Sequence, residues 1–257
     1  MNSITLILAL AAVVAVSIII IVASQLREKA RIERARKITA LEDRYKRCER
    51  LLTELPAQYL TPELKLLLLN EMEAACDNLA ALSTGLPVEK WREAATQEKA
   101  RIQDEQDTTT PVAIDTPEKS RYIKELLESL FKLITSMHKS GRIDGETSRE
   151  KQQYILFLVH KTHADLHVFQ AREHIRKNQI RQAIHAYHMA STEMGKSRDN
   201  PLATRAVKAF RKRIAELEAV NEKGESTGSA EPDSELDKQW DRFFHEDDWK
   251  KKPDYDD

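Results

Sequence analysis

The chain opens on an unbroken apolar run, and a helical alternation of apolar and polar positions then continues almost to its end. Ile4–Ser24 (ITLILALAAVVAVSIIIIVAS) carries no charge, and the first charged side chain is Arg27. A helix needs roughly 20 apolar residues to cross ~30 Å of hydrocarbon, so the run predicts a transmembrane helix. A cleaved signal peptide competes, with Val22-Ala23-Ser24 as a small-residue site. It fits less well, because no Lys or Arg precedes the run and the run outlasts an ordinary signal core. Beyond it, Ile38, Leu41, Tyr45, Cys48, Leu52 and Leu55 recur at alternating spacings of three and four. Such a seam either pairs two copies as a coiled coil or packs on later helices of the same chain. At about two and a half heptads it is short for a coiled coil, which favours packing within the chain.

Start and stop signals divide the rest. Pro56 ends the first helix, and Thr61-Pro62 opens a second with Thr61 as N-cap. Leu64, Leu66–Leu69, Met72, Ala75, Cys76, Leu79 and Leu82 cover most of its circumference, as in a core helix. Gly85 closes it, and a third, polar helix runs from Pro87 to about Glu105, with Val88, Trp91, Ala94, Ala95 and Ile102 as its apolar positions. Asp104–Asp115 has no apolar period and predicts a linker. Thr116-Pro117-Glu118 starts a helix whose face is Ile123, Leu126, Leu127, Leu130, Ile134 and Met137, with Gly141 as its stop. Asp144-Gly145 is a turn rather than a calcium loop, because the other acidic ligands are missing. A helix capped at Thr147 follows and runs to about Lys177. Two more are predicted, Ile180–Met194 and Asn200-Pro201 to about Asn221.

The predicted fold is all-α: a transmembrane anchor (1–26), a charged stalk and helical hairpin (27–106), a linker (107–116), a helical domain (117–223), a disordered linker (224–235) and an acidic-aromatic tail (236–257). Six Gly and eight Pro in 257 residues are few, and no alternating β-branched stretch outside the anchor suggests a sheet.

Charge sharpens this picture. The formal net charge of −1 hides strong segregation. Arg27–Arg50 holds ten basic and five acidic residues, Arg172–Arg213 eleven and three, and Glu231–Asp257 five and eleven. Basic residues flanking the anchor on one side place that side in the cytoplasm. The expectation is a single-pass protein of a bacterial inner membrane, N-terminus outside and body cytoplasmic. Arg27–Lys37 would lie against anionic lipid headgroups. Two isolated cysteines, Cys48 and Cys76, suit a reducing compartment and exclude a disulfide scaffold or zinc ribbon.

Within the helical domain, Ala171, Ala183, Tyr187 and Ala190 follow one another at gaps of twelve, four and three. In that pattern Ala164–Ser197 resembles a single tetratricopeptide repeat, in which small and aromatic residues let two helices approach closely. The resemblance implies an antiparallel hairpin in an α-solenoid-like stack, with a peptide-binding groove as its use. His167, Gln170 and His174 stand where the family places large first-helix residues, Gly195 replaces its proline, and no second copy is visible.

Three further features carry chemistry. His160, His163, His167 and His174 share a helix face, with His185 and His188 on the next helix. Without a third ligand or paired carboxylates this stripe does not define a metal site, and none is assigned. Arg205, Lys208 and Lys212 form a basic face of the last helix, with Arg211 and Arg213 beside it and Arg172, Arg176 and Arg181 as a possible extension. Solvated charge, nucleic acid, and an acidic partner or the chain's own tail are the alternatives there. In the tail, Trp240, Phe243 and Phe244 are neighbours on a helix, and Trp249 follows. Aromatics of this density among acids predict a segment that folds into a groove of a partner or of its own domain.

No Gly-rich phosphate loop, nucleophile elbow or acid pair in an apolar setting is present, so no catalytic residue and no cofactor is expected. The sequence predicts a membrane-anchored scaffold or adaptor that binds protein partners through its helical domain and tail. A membrane-tethered nucleic-acid binder using residues 172–213 is the alternative. Homo-oligomerisation stays open.

Overall fold

The structure, a computed structural model, describes residues 3–82, 85–103, 112–222 and 240, with side chains from residue 20 onward. Among these residues all regular structure is helical, in seven α-helices and one 3-10 turn. They fall into two compact units, residues 1–53 with 62–108, and residues 54–61 with 109–257.

The first unit contains α1 (Ser3–Glu54, apart from its last residue), α2 (Pro62–Ala81) and α3 (Val88–Gln103). The backbone of α1 is helical without interruption, as expected from the lack of a breaker between anchor and seam. Among the described residues no helix is long and apolar enough to cross a membrane. The anchor predicted at Ile4–Ser24 therefore does not rest on the structure, and its side chains up to residue 19 lie outside the described residues. Every position from Ile20 to Lys37 is exposed. Burial begins where the heptad seam does. Tyr45, Cys48, Leu51 and Leu55 are buried, while Ile38, Leu41 and Leu52 are half-buried.

That seam is filled from the same chain. The Tyr45 ring stacks on Trp91 of α3, with centroids 4.6 Å apart and planes 15° from parallel. Burial, then the Glu49 carboxylate, push the Tyr45 phenol up to about 12. α2 is the core helix the pattern predicted, with Leu64, Leu68, Leu69, Met72, Ala75, Cys76 and Leu79 buried. α3 buries only Val88, Ala95 and Ile102, one residue every second turn, which explains its polar composition. Arg44 pairs with the buried Glu71 at 3.1 Å, and Lys99 with Glu73 at 2.8 Å.

The second unit is built on α4 (Pro117–Lys139), α5 (Gly145–Arg176), α6 (Ile180–Gly195) and α7 (Pro201–Glu222). In each of the pairs α4–α5, α5–α6 and α6–α7, consecutive helices pack on one another. Short connections make such neighbours antiparallel. Thr116 caps α4 as predicted, its hydroxyl accepting from Lys119 N–H at 3.2 Å, and the whole predicted face of α4 is buried. Gly141, at φ +71°, closes α4 in a Schellman motif, with Arg142 N–H donating to Met137 C=O and Gly141 N–H to His138 C=O. The predicted cap at Thr147 is corrected. Asp144 is the N-cap, accepting from Thr147 N–H at 2.8 Å and from its hydroxyl at 2.7 Å, and Gly145 is already helical. Asp144 takes the cap, where its ionised carboxylate also meets the positive end of the helix dipole.

α5 and α6 are joined by Lys177-Asn178-Gln179. Asn178 takes φ +58°, and the same two Schellman bonds appear, from Gln179 N–H to His174 C=O and from Asn178 N–H to Ile175 C=O. Asn is the residue that best tolerates this conformation after Gly. Asn200 caps α7 by accepting from Leu202 N–H at 2.9 Å. Residues 54–61, with a 3-10 turn at Ala57–Tyr59, lie across this unit as a strap. Gln58 exchanges two hydrogen bonds with the backbone of Val112, and Tyr122 donates its hydroxyl proton to Glu54.

Candidate functional site

The predicted hairpin residues Ala171, Ala183, Tyr187 and Ala190 are all fully buried. The three alanines let α5 and α6 approach closely, and Tyr187 carries the contact onward to Phe210 of α7, with centroids 6.1 Å apart.

Phe210 is also where the tail arrives. Trp240 is the one tail aromatic among the described residues; Phe243, Phe244 and Trp249 lie outside them, as does the linker 224–235. Trp240 is 4% exposed, and its ring centroid is 4.9 Å from that of Phe210. The Lys161 ammonium stands 4.1 Å above the ring centroid, in the position where a cation is attracted to the negative face of an indole. The indole N–H donates to Asp165 Oδ1 at 2.8 Å.

Asp165 is the centre of this site. Its Oδ1 also accepts from Lys161 Nζ at 2.8 Å, one turn earlier on α5, and its Oδ2 accepts from the Tyr59 hydroxyl of the strap at 2.6 Å. Lys161 and Tyr59 are almost wholly inaccessible to solvent. One carboxylate thus ties three segments together: strap, α5 and tail. Burial, then the charge and hydrogen bond of Asp165, hold the Tyr59 phenol well above its usual range. Every group here has a partner, which is the condition under which a buried polar cluster rigidifies a core instead of weakening it. Sequence inspection missed Lys161, Asp165 and Tyr59. The one local signal was a Lys and an Asp four residues apart, just after the most apolar part of α5.

The histidine stripe does not converge. His160 and His163 both face Glu193 of α6, with Nδ1–Oε2 distances of 3.9 and 3.6 Å. His167 Nδ1 lies 3.2 Å from Gln170 Oε1, and His174 Nδ1 2.8 Å from Gln179 Oε1. Among the described residues no group of three or more His, Cys, Asp or Glu is placed to hold a metal ion. Glu193 is claimed by Lys196 at 2.7 Å. Burial acts to raise its carboxyl, but Lys196 and His163 outweigh this and hold it below the ordinary value. Burial holds the His160 imidazole below its ordinary value, outweighing the attraction of Glu193.

Arg205, Lys208 and Lys212 of the basic face are exposed, as is Arg211. Arg213 leaves that face: it is buried and paired with Glu216 at 3.1 Å. Lys208 and Arg211, with Lys196 and Arg198, border an open groove of about 1010 Å³ between α6 and α7. A second groove of about 340 Å³ lies between the first half of α5 and the start of α7, lined by Tyr154, Leu156, Phe157, Pro201 and Leu202 with polar residues at its rim. The arrangement offers aromatic recognition, apolar cover and cationic edges.

No family model, no curated protein and no solved structure matches the chain. The likeness to a tetratricopeptide repeat therefore stands on the packing of four residues.

Proposed function

We propose that this protein is a membrane-anchored scaffold that binds protein partners through its helical body and its acidic-aromatic tail. The observation that carries this proposal is the seating of Trp240. The body has a pocket in which an aromatic residue from a remote acidic segment is held by a ring, a cation and a carboxylate at once. A surface able to hold one such segment has the chemistry to hold another, and aromatic anchors in well-packed pockets dominate protein recognition. The repeat-like hairpin α5–α6 supplies the rigid platform.

Anchoring is supported by the uncharged run Ile4–Ser24 and by its described end, where Ile20, Ile21 and Val22 are 62, 56 and 48% exposed. Full burial of such a side chain is worth about 1.5–3 kcal/mol, and roughly half of that is forgone at these exposures, a cost that a bilayer removes. The basic residues Arg27–Lys37 then sit at the headgroups with the body in the cytoplasm.

The test is a pair of pull-downs from detergent extract, with intact protein and with protein ending at Gly224. Partners lost or gained on truncation support the proposal. An identical partner set refutes the part assigned to the tail. The alternative, a nucleic-acid binder, is favoured by the exposed Arg205, Lys208, Arg211 and Lys212 beside the larger groove. It requires steeply salt-dependent retention on DNA or RNA, and no retention at low salt removes it.

A further inference from the structure

We propose that the acidic-aromatic segment after Trp240 folds back along the furrow between α5 and α7, with Phe243 and Phe244 filling the groove beside Tyr154, Leu156 and Leu202. Because α6 is antiparallel to both neighbours, α5 and α7 run in the same direction. Trp240 touches Lys161 and Asp165 on α5 and Phe210 on α7. Tyr154 and Phe157 precede Lys161 by seven and four residues, and Leu202 precedes Phe210 by eight. At 1.5 Å per residue the groove begins about 6–12 Å from Trp240, in the same direction along both helices. Phe243 and Phe244 are three and four residues past Trp240, and an extended chain of that length reaches about 10–14 Å.

The volume suits the occupant. About 340 Å³ is at the small end of pockets that enclose apolar groups, roughly 300–1,000 Å³. Leu156, 49% exposed, is an apolar wall of this groove. Charge sets the direction beyond the groove. Residues 196–211 hold five basic side chains and one acidic, whereas residues 241–248 hold four acidic and one basic. The groove's own rim is mixed, with Glu150 and Asp199 opposing Lys196 and Arg205. The aromatics therefore belong in the groove, and Glu246–Asp248 belong beyond it, toward Arg198. This inference concerns an internal occupant and holds whether or not the scaffold proposal does.

The test uses the full chain in detergent with cysteines placed by Leu156→Cys and Phe244→Cys, joined by a short bis-maleimide. Cys48 and Cys76 are fully buried and do not compete. The expected result is an intrachain link between positions 156 and 244, found by peptide mapping. It should be absent for the pair His188→Cys/Phe244→Cys, in which position 188 is on the exposed side of α6. An interchain link would assign the groove to a second copy, no link would leave it to a separate protein, and equal linking of both pairs would show no preference; each overturns the proposal. A second readout tolerates loss of the cysteine variants. In Phe243→Ser/Phe244→Ser protein, amide exchange at residues 150–160 and 201–206 should rise several-fold, and unchanged exchange refutes the fold-back. A link formed in protein whose pull-down partners ignore truncation would leave this inference standing and remove the part the scaffold reading assigns to the tail.

Discussion

Replacing Asp165 by Asn should destabilise the second unit more than any other isosteric change in it. The carboxylate accepts from Tyr59, Lys161 and Trp240 at 2.6–2.8 Å. An Asn oxygen can still accept, but its NH₂ meets donors where the second carboxylate oxygen met partners. The charge is also lost, leaving the Lys161 ammonium, 1% exposed, without a countercharge. Breaking a buried ion pair from one side costs about 3–5 kcal/mol, which lowers the midpoint of a domain of this size by roughly 10 °C or more. The cation–π contact of Lys161 on Trp240, worth up to about 2 kcal/mol when desolvated, persists and recovers only part of the loss. Lys161→Met in the Asp165→Asn background should restore stability, because it removes the unpaired charge and keeps the volume. The assay is thermal and urea unfolding of the full chain in detergent, followed by far-ultraviolet circular dichroism. A loss below about 1 kcal/mol for Asp165→Asn, in the range of an exposed pair, would refute the reasoning. So would a double variant less stable than the single.

Asn178→Ala should cost about 1–2 kcal/mol, because φ +58° crowds a plain Cβ, whereas Asn178→Gly should be neutral or stabilising; urea midpoints separate the two. Burial pushes the Tyr154 phenol up from 10.0 to about 12. The folded state thus keeps a proton the unfolded chain releases, so stability is intact below pH 10 and is lost as pH rises from 10 towards 12. Tyr154→Phe should shift alkaline unfolding to higher pH, as read by circular dichroism. His160 behaves in the opposite sense. Burial lowers its imidazole from the ordinary 6.5, so its contribution is complete above pH 6.5 and is lost as pH falls from there through the lowered value. His160→Gln should flatten acid-side stability over that window, and an unchanged acid limb would discount the histidine.

Local pattern reached most of the scaffold. The stripe Ile123–Met137 and the small residues Ala171, Ala183 and Ala190 are burial signals written within one or two helices, and each is buried. Register at the helix ends was harder. Asp144 and Thr147 both make good caps, and the competition between them is settled by backbone geometry that composition does not carry. Leu51, not Leu52, is the more deeply buried of two adjacent leucines, one position off the predicted seam. The Asp165 site was out of reach for a different reason. Tyr59 and Trp240 are 106 and 75 residues away from it, and nothing periodic links them. Lys161 and Asp165 alone look like any surface i,i+4 pair. Arg213, beside the basic face in sequence, is buried and paired with Glu216 one turn on.

The unbroken backbone of α1 has a mechanical consequence. Residues 25–37 form a bare helical rod about 20 Å long, between the end of the apolar run and the first half-buried seam residue, Ile38. A flexible tether of that length would let the first unit wander from the headgroups outward. With the proposed anchor in a bilayer, a rod would hold it at one height and let it swing only as the whole helix tilts. If the proposed anchor and partners hold, a partner at the membrane would have to present its contact surface at that height, and the stalk would select partners by geometry before any side chain touched them.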